Sequence, residues 1–255
     1  MISTIDQNFN RHSWYVPSLI KDMHVVHTSS LSYTDSGLPC DTFNIIHVTN
    51  GSTLTKEELE LVLSHYHRHN SRFCLWINSE NRTPAVEVLL EEAGLAEANK
   101  EPGMVLDLTA YRPAEHNLFT NIVVASSEQH IADFATVVAA NWTPPDAHVI
   151  SYYKKTFPAF LDSSNNILLL TYYHEGQPVS VIELFPTDKN TIGLYSLATL
   201  EAFRGKGIGS AMMRFALNTA KEKEYTTAIL QASEDGIGIY QRLGFQIKTT
   251  YFEFQ

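Results

Sequence analysis

The sequence predicts an α/β protein of the α+β kind, made of two similar halves in which a mixed, largely antiparallel sheet is flanked by helices. Its 255 residues exceed one average domain and suit two. Strand-like alternation and helical periodicity succeed one another along the chain, and the order of elements that closes the second half is already present in the first.

The polar stretch from Thr109 to Asn117, with Pro113 inside it, interrupts the apolar periodicity and reads as a linker. It separates a domain over residues 1–115 from one over 116–255. After it, Ile122 to Ala125 is a short strand, and Ser126 with Gln129 fits a capping box before a helix over Ile131 to Ala140. Tyr152 to Leu161 reads as helix or loop. Ile167 to Tyr173, Pro178 to Phe185 and Gly193 to Leu200 are three strands joined by turns at His174–Gln177 and Pro186–Asn190, an antiparallel meander.

From Ile208 the residues Met212, Phe215, Ala216 and Thr219 recur at the spacing of a helix with one buried stripe. Thr226 to Gln231 is the next strand, Gly236 to Arg242 a short helix closed by Gly244, and Gln246 to Phe254 a final strand. The first half repeats this ending. Asn44 to Val48 is a strand, Thr55 with Glu58 opens a helix to about His67, Phe73 to Ile77 is a strand, Ala85 to Ala93 a short helix and Met104 to Leu108 a closing strand.

Composition excludes several classes of function. No apolar run approaches the ~20 residues that span a bilayer, and the first fifteen residues, with Asp6 and Arg11, carry no apolar core of a secretion signal. The formal charge of −10 opposes nucleic-acid binding, which rests on clustered Lys and Arg, and favours a cationic small partner. Cys40 and Cys74 have no metal or redox spacing and read as reduced packing residues of a cytoplasmic protein.

The chemistry concentrates in one loop. Arg204, Gly205, Lys206, Gly207, Ile208, Gly209 and Ser210 join a strand to a helix through glycines at alternate positions, with two cations between them. Glycines permit close backbone approach, N–H groups at a helix start point outward, and the helix dipole adds roughly half a positive charge there. No acidic side chain lies between Arg204 and Arg214, so the loop suits a diphosphate. A Walker A loop fails because Gly207 follows Lys206, and a Rossmann fingerprint fails because Ser210 replaces its third glycine.

Arg204-x-x-Gly207-x-Gly209 resembles the pyrophosphate loop of the GNAT N-acetyltransferase family, and the segment from Gln231 to Phe245, with Tyr240 before Leu243-Gly244-Phe245, is similar to its second motif. The resemblance covers residues 121–255. The first half looks like the degenerate N-terminal half of tandem GNAT proteins, since Glu57 and Glu58 stand at its helix start and Leu90 stands where Tyr240 would be.

The resemblance implies acetyl-CoA as co-substrate and direct attack on the thioester by a primary amine of a small molecule or peptide. Leu197, Ala198 and Thr199 would meet pantetheine and the developing oxyanion through their backbone, and Ser233 stands where many members have Asn. Tyr240 would hydrogen-bond or protonate the departing sulfur. An amine with a pKa of about 10 needs a base, and Glu183, a carboxylate among apolar neighbours, is the candidate; a surface glutamate on a sheet edge is the alternative. The rival function is a silent acyl-CoA-binding sensor. His65, His67 and His69 show no third ligand or Glu-x-x-His partner in the sequence, so a solvated histidine face and no metal are expected.

Overall fold

The computed structural model describes residues 2–234 and 236–255. Its helices are α1 (Ile2–Ser18), α2 (Lys56–Arg68), α3 (Pro84–Glu92), α4 (Glu128–Ala139), α5 (Ala147–Leu161), α6 (Ile208–Glu222) and α7 (Ile237–Arg242). Its strands are β1 (His24–His27), β2 (Leu31–Asp35), β3 (Ile45–Val48), β4 (Cys74–Asn78), β5 (Glu97–Asp107), β6 (Ile122–Val124), β7 (Leu168–His174), β8 (Gln177–Pro186), β9 (Thr191–Thr199), β10 (Thr227–Gln231) and β11 (Gln246–Phe254). Two compact units result. Unit 1 holds the chain through Met104 with Gln231–Ile237 and Ile247–Gln255; unit 2 holds Val105–Leu230 and Gly238–Gln246.

In unit 1, β1, β2 and β3 run antiparallel, with Val25 opposite Thr34 and Tyr33 opposite Ile46, and β3 lies parallel to β4, with Ile46 opposite Leu75. The helix between these parallel strands starts as read: Thr55 accepts the Glu58 N–H at 3.2 Å, a cap worth about 1 kcal/mol. Leu59, Val62 and Tyr66 then form one buried stripe that packs with Ile46, Leu75 and Ile77. The elements before Asn44 escape the sequence reading for a physical reason. In β2 every residue but Tyr33 is buried, so no alternation marks it, and α1 buries Asn8 and Ser13 along with Ile5, Phe9 and Val16.

The closing strand β11 belongs to unit 1, where it pairs antiparallel with β4 from Tyr251 opposite Asn78 to Phe254 opposite Leu75. Pairing, not sequence neighbourhood, therefore decides where this strand goes, and the two units do not follow a single cut at residues 115/116. Tyr251 also reaches back to α1. Asp6 accepts from the His47 ring at 3.0 Å, the Asn78 amide at 2.8 Å and the Tyr251 hydroxyl at 3.3 Å. Burial opposes ionisation of Asp6, but these partners outweigh it and hold the carboxyl below its ordinary range.

Unit 2 holds the three-strand meander read from the sequence, β7-β8-β9, all antiparallel; β6 adds antiparallel to β7, and β10 continues parallel to β9. The β7–β8 turn is a two-residue hairpin: Glu175 and Gly176 have φ of 51° and 82°, the left-handed pair that matches strand twist. Helix α4 begins one residue later than the capping box suggests, because Ser127 and not Ser126 accepts the His130 N–H, at 3.2 Å. Tyr152 to Leu161 is helical and belongs to the longer α5, capped by Asp146. Helices α4 and α6 both pack on the meander.

Candidate functional site

The centre of unit 2 is an irregularity between β8 and β9. Glu183 faces Tyr195 and Val181 faces Ala198, so Ser196 and Leu197 together oppose the single residue Ile182. This is a β-bulge, and Ser196 adopts a left-handed φ of 54° to accommodate it. An extra residue breaks the alternation of ladder hydrogen bonds and turns backbone groups of the strand away from their usual partner. On its other side, β9 pairs with β10 only over Thr191–Gly193 against Thr227–Ile229, so residues 194–199 run past that ladder.

Glu183 sits directly opposite this region and is 3% exposed. It is on β8, flanked by β7 and β9, with Leu169 and Tyr195 as its cross-strand neighbours. The alternative of a surface glutamate on a sheet edge is thereby removed. Three tyrosines surround the carboxylate electrostatically: burial first, and Glu183 second, push the Tyr152, Tyr153 and Tyr195 phenols above their ordinary value, so they stay protonated. The Tyr153 hydroxyl shares a hydrogen bond with Ser196, which ties helix α5 to the bulge. Tyr153 also lines a cleft of about 150 Å³ between α4 and α5, with Ile131, Ala135, Ile150 and Phe157 as apolar walls and Glu128 and Lys154 among its polar groups.

Beyond the bulge the strand ends in an anchored loop. Thr199 shares a hydrogen bond of 2.8 Å with Ser180, and its carbonyl accepts from Arg204 Nε at 3.0 Å. Gly205 and Gly207 have φ of +73° and +79°, which L side chains rarely adopt, and a Cβ added at either would meet no protein atom within 4 Å. Gly207 is the N-cap of α6 and the first turn holds no acid. The first helical hydrogen bond runs from Ala211 N–H to the Gly207 carbonyl at 3.0 Å, so the N–H groups of Ile208, Gly209 and Ser210 precede the repeating ladder. Open space, a helix start and Lys206, whose ammonium lies 4.9 Å from the Phe203 ring, fit a diphosphate.

Tyr240 is 7% exposed on α7 and meets the Phe245 ring edge-on at 6.0 Å. Unit 2 thus gathers Glu183, Leu197, Ala198, Thr199, the residues Arg204 to Ser210 and Tyr240, whereas Ser233 falls in unit 1. Sequence reasoning missed Ser196 and the tyrosines around Glu183. No local signal marks the bulge, since Ser196 stands in an ordinary strand pattern, and the tyrosines reach Glu183 only through folding.

Comparison with known proteins agrees with this geometry. The family model described as Acetyltransferase (GNAT) family matches residues 131–245. N-acetyltransferase 8B of Rattus norvegicus is 34% identical over 70 residues, which is 26% of this chain and 32% of that protein. N-acetyltransferase family 8 member 2 of the same organism is 31% identical over 85 residues, 30% of this chain and 38% of that protein. The chain therefore matches about a third of the length of either relative. Among solved structures, a GCN5-related N-acetyltransferase from Kribbella flavida shares the fold at a TM-score of 0.69 and 17% identity, covering 98% of this chain and 94% of that one. A tandem GNAT protein from the clavulanic acid biosynthesis pathway covers 99% of this chain and 93% of its own at a TM-score of 0.59 and 10% identity. Residues 131–245, which hold the bulged strand and the glycine-opened helix, are thus similar to the GNAT acetyltransferase family, and the chain as a whole shares the fold of its solved members.

Proposed function

We propose that the protein is an acetyl-CoA-dependent N-acetyltransferase that acetylates a primary amine of a small molecule or peptide by direct attack within a ternary complex. The observation that carries the reading is the buried Glu183 beside the β9 bulge, in the same unit as an acid-free, open glycine loop at the start of α6. Acetyl-CoA, when bound, supplies the activated thioester. The N–H groups of Ile208, Gly209 and Ser210, with Arg204 and Lys206, hold diphosphate; Gly205 and Gly207 let it approach.

Residues 194–199, running past the β10 ladder, offer backbone groups to an extended amide-bearing chain, as a strand edge does to an added strand. Leu197, Ala198 and Thr199 lie where the bulge turns backbone N–H groups toward a developing oxyanion. Glu183 takes a proton from the acceptor ammonium, directly or through water, so that the neutral amine attacks the thioester, and Tyr240 stabilises the departing thiolate. A phenol near pKa 10 and a thiol near 8.5 differ by about 1.5 units, a mismatch of roughly 2 kcal/mol that the site need correct only in part. The first half, residues 1–115, supports the shape and binds no cofactor, and the protein works in the cytoplasm with Cys40 and Cys74 reduced.

Mass spectrometry of reactions with acetyl-CoA and a panel of primary amines tests the reading. The expected product carries one added acetyl group on nitrogen. Acylation confined to hydroxyl or thiol acceptors, or to none, overturns it.

A further inference from the structure

The fold supplies what the histidines of α2 lack in sequence. His65 and His69 are one helical turn apart, and β2 brings Asp35 against them, so that one ligand atom from each of the three lies within 4.8 Å of the others. The structure assigns this Asp35–His65–His69 cluster in unit 1 as a binding site for a divalent transition cation, with Zn²⁺ the foremost candidate. It shares no residue with those proposed for acetyl transfer and does not depend on that reading.

Four features favour a cation over a solvated face. The Asp35 carboxylate is 10% exposed and the His65 ring 19%, with His65 Nε2 and Asp35 Oδ2 2.8 Å apart, so two ligands are already joined and partly withdrawn from water. Each is oriented by a second partner. The Gly37 N–H donates to Asp35 Oδ1 at 2.8 Å, leaving Oδ2 to face the histidines. His69 Nδ1 is 2.9 Å from the His65 carbonyl and donates to it, the arrangement by which an outer-shell carbonyl orients a histidine to bind metal through Nε2. The last turn of α2 also places its negative dipole end here.

Zinc bonds of about 2.0–2.1 Å in tetrahedral geometry need donor atoms roughly 3.3 Å apart. The closure falls to His69, which is exposed at the end of α2. His65 joins with its proton moved to Nδ1. Two imidazoles and one carboxylate leave a fourth position for water, and this nitrogen-rich set selects Zn²⁺ over Mg²⁺ or Ca²⁺. Arg68 is the neighbouring cation, and its Nε is engaged by the Ser64 carbonyl at 3.2 Å. A bound ion would clamp the C-terminal turn of α2 to β2. A simple His65–Asp35 ion pair accounts for two of the three residues and leaves His69 beside it.

The test is Zn²⁺ titration of the metal-stripped full chain in competition with a chromophoric chelator, repeated with Co²⁺ read by visible absorption. One equivalent is expected, with Kd of about a micromolar or tighter. His69→Ala, an exposed change that preserves the core, and Asp35→Asn should each weaken binding at least about tenfold. Zn²⁺ should raise the Tm of the wild type and not that of His69→Ala. Either no saturable site in the wild type or equal affinity in a folded His69→Ala variant overturns the assignment, the latter by placing the ion on other histidines.

Discussion

Leu90 and Tyr240 hold the same backbone position in the two units: each carbonyl accepts a hydrogen bond of 3.0 Å from the residue five places on, Leu95 or Phe245. In each case the glycine just before that residue, Gly94 or Gly244, has a positive φ. One turn ending therefore carries a phenol in unit 2 and only an alkyl group in unit 1. The helix starts differ likewise, since α2 has Glu57 and Glu58 in its first turn and α6 has no acid. Acetyl-CoA is accordingly expected to bind once per chain. Calorimetry counts the sites, and two equivalent sites would show that unit 1 has kept its cofactor chemistry.

Gly207→Val tests the loop. The substitution forces a branched residue into φ of +79° and puts its side chain into the open space before α6. CoA affinity should fall at least about tenfold, or about 1.4 kcal/mol, in protein whose circular dichroism is unchanged. Arg204→Ala should cost less, because its Nε is spent on the Thr199 carbonyl. Undiminished CoA affinity in folded Gly207→Val would move the diphosphate site elsewhere.

Glu183→Gln preserves size while removing the base. Turnover is expected to fall by about 10²- to 10⁴-fold with little change in acetyl-CoA affinity. A less protonated acceptor amine, supplied by raising pH, should recover part of the loss. If the variant keeps its rate and loses only thermal stability, the buried carboxylate serves the tyrosine cluster around it and another group takes the proton.

Tyr240→Phe deletes one hydroxyl and leaves the ring that meets Phe245. Single-turnover rates should drop while acetyl-CoA affinity holds, and the deficit should shrink with an acyl donor whose leaving thiol has a lower pKa. A tyrosine that only packs would show full single-turnover activity and a lowered Tm.

Much of unit 2 was legible because its signals are local. Glycines at alternate positions mark the start of α6, and alternating strands with polar turns mark the meander. The same holds for Thr55 at the start of α2. What the sequence hid was long-range: β11 pairs with β4, whose residues lie more than 150 positions earlier in the chain. The bulge at Ser196 arises from register between strands, and Asp35 reaches His65 from a strand that buries both faces. Glu183 was singled out for its apolar neighbours, but only the meander shows that it is interior.

The central claim, acetyl transfer to an amine in unit 2, is tested most directly by measuring free thiol release from acetyl-CoA with and without primary amines. The account predicts release that depends on the amine, matches the N-acetyl product one for one, and is slowed in Glu183→Gln and, at limiting acetyl-CoA, in Gly207→Val. Saturable acetyl-CoA binding with no amine-dependent thiol release across the panel would contradict it and leave a cofactor-binding protein that does not turn over.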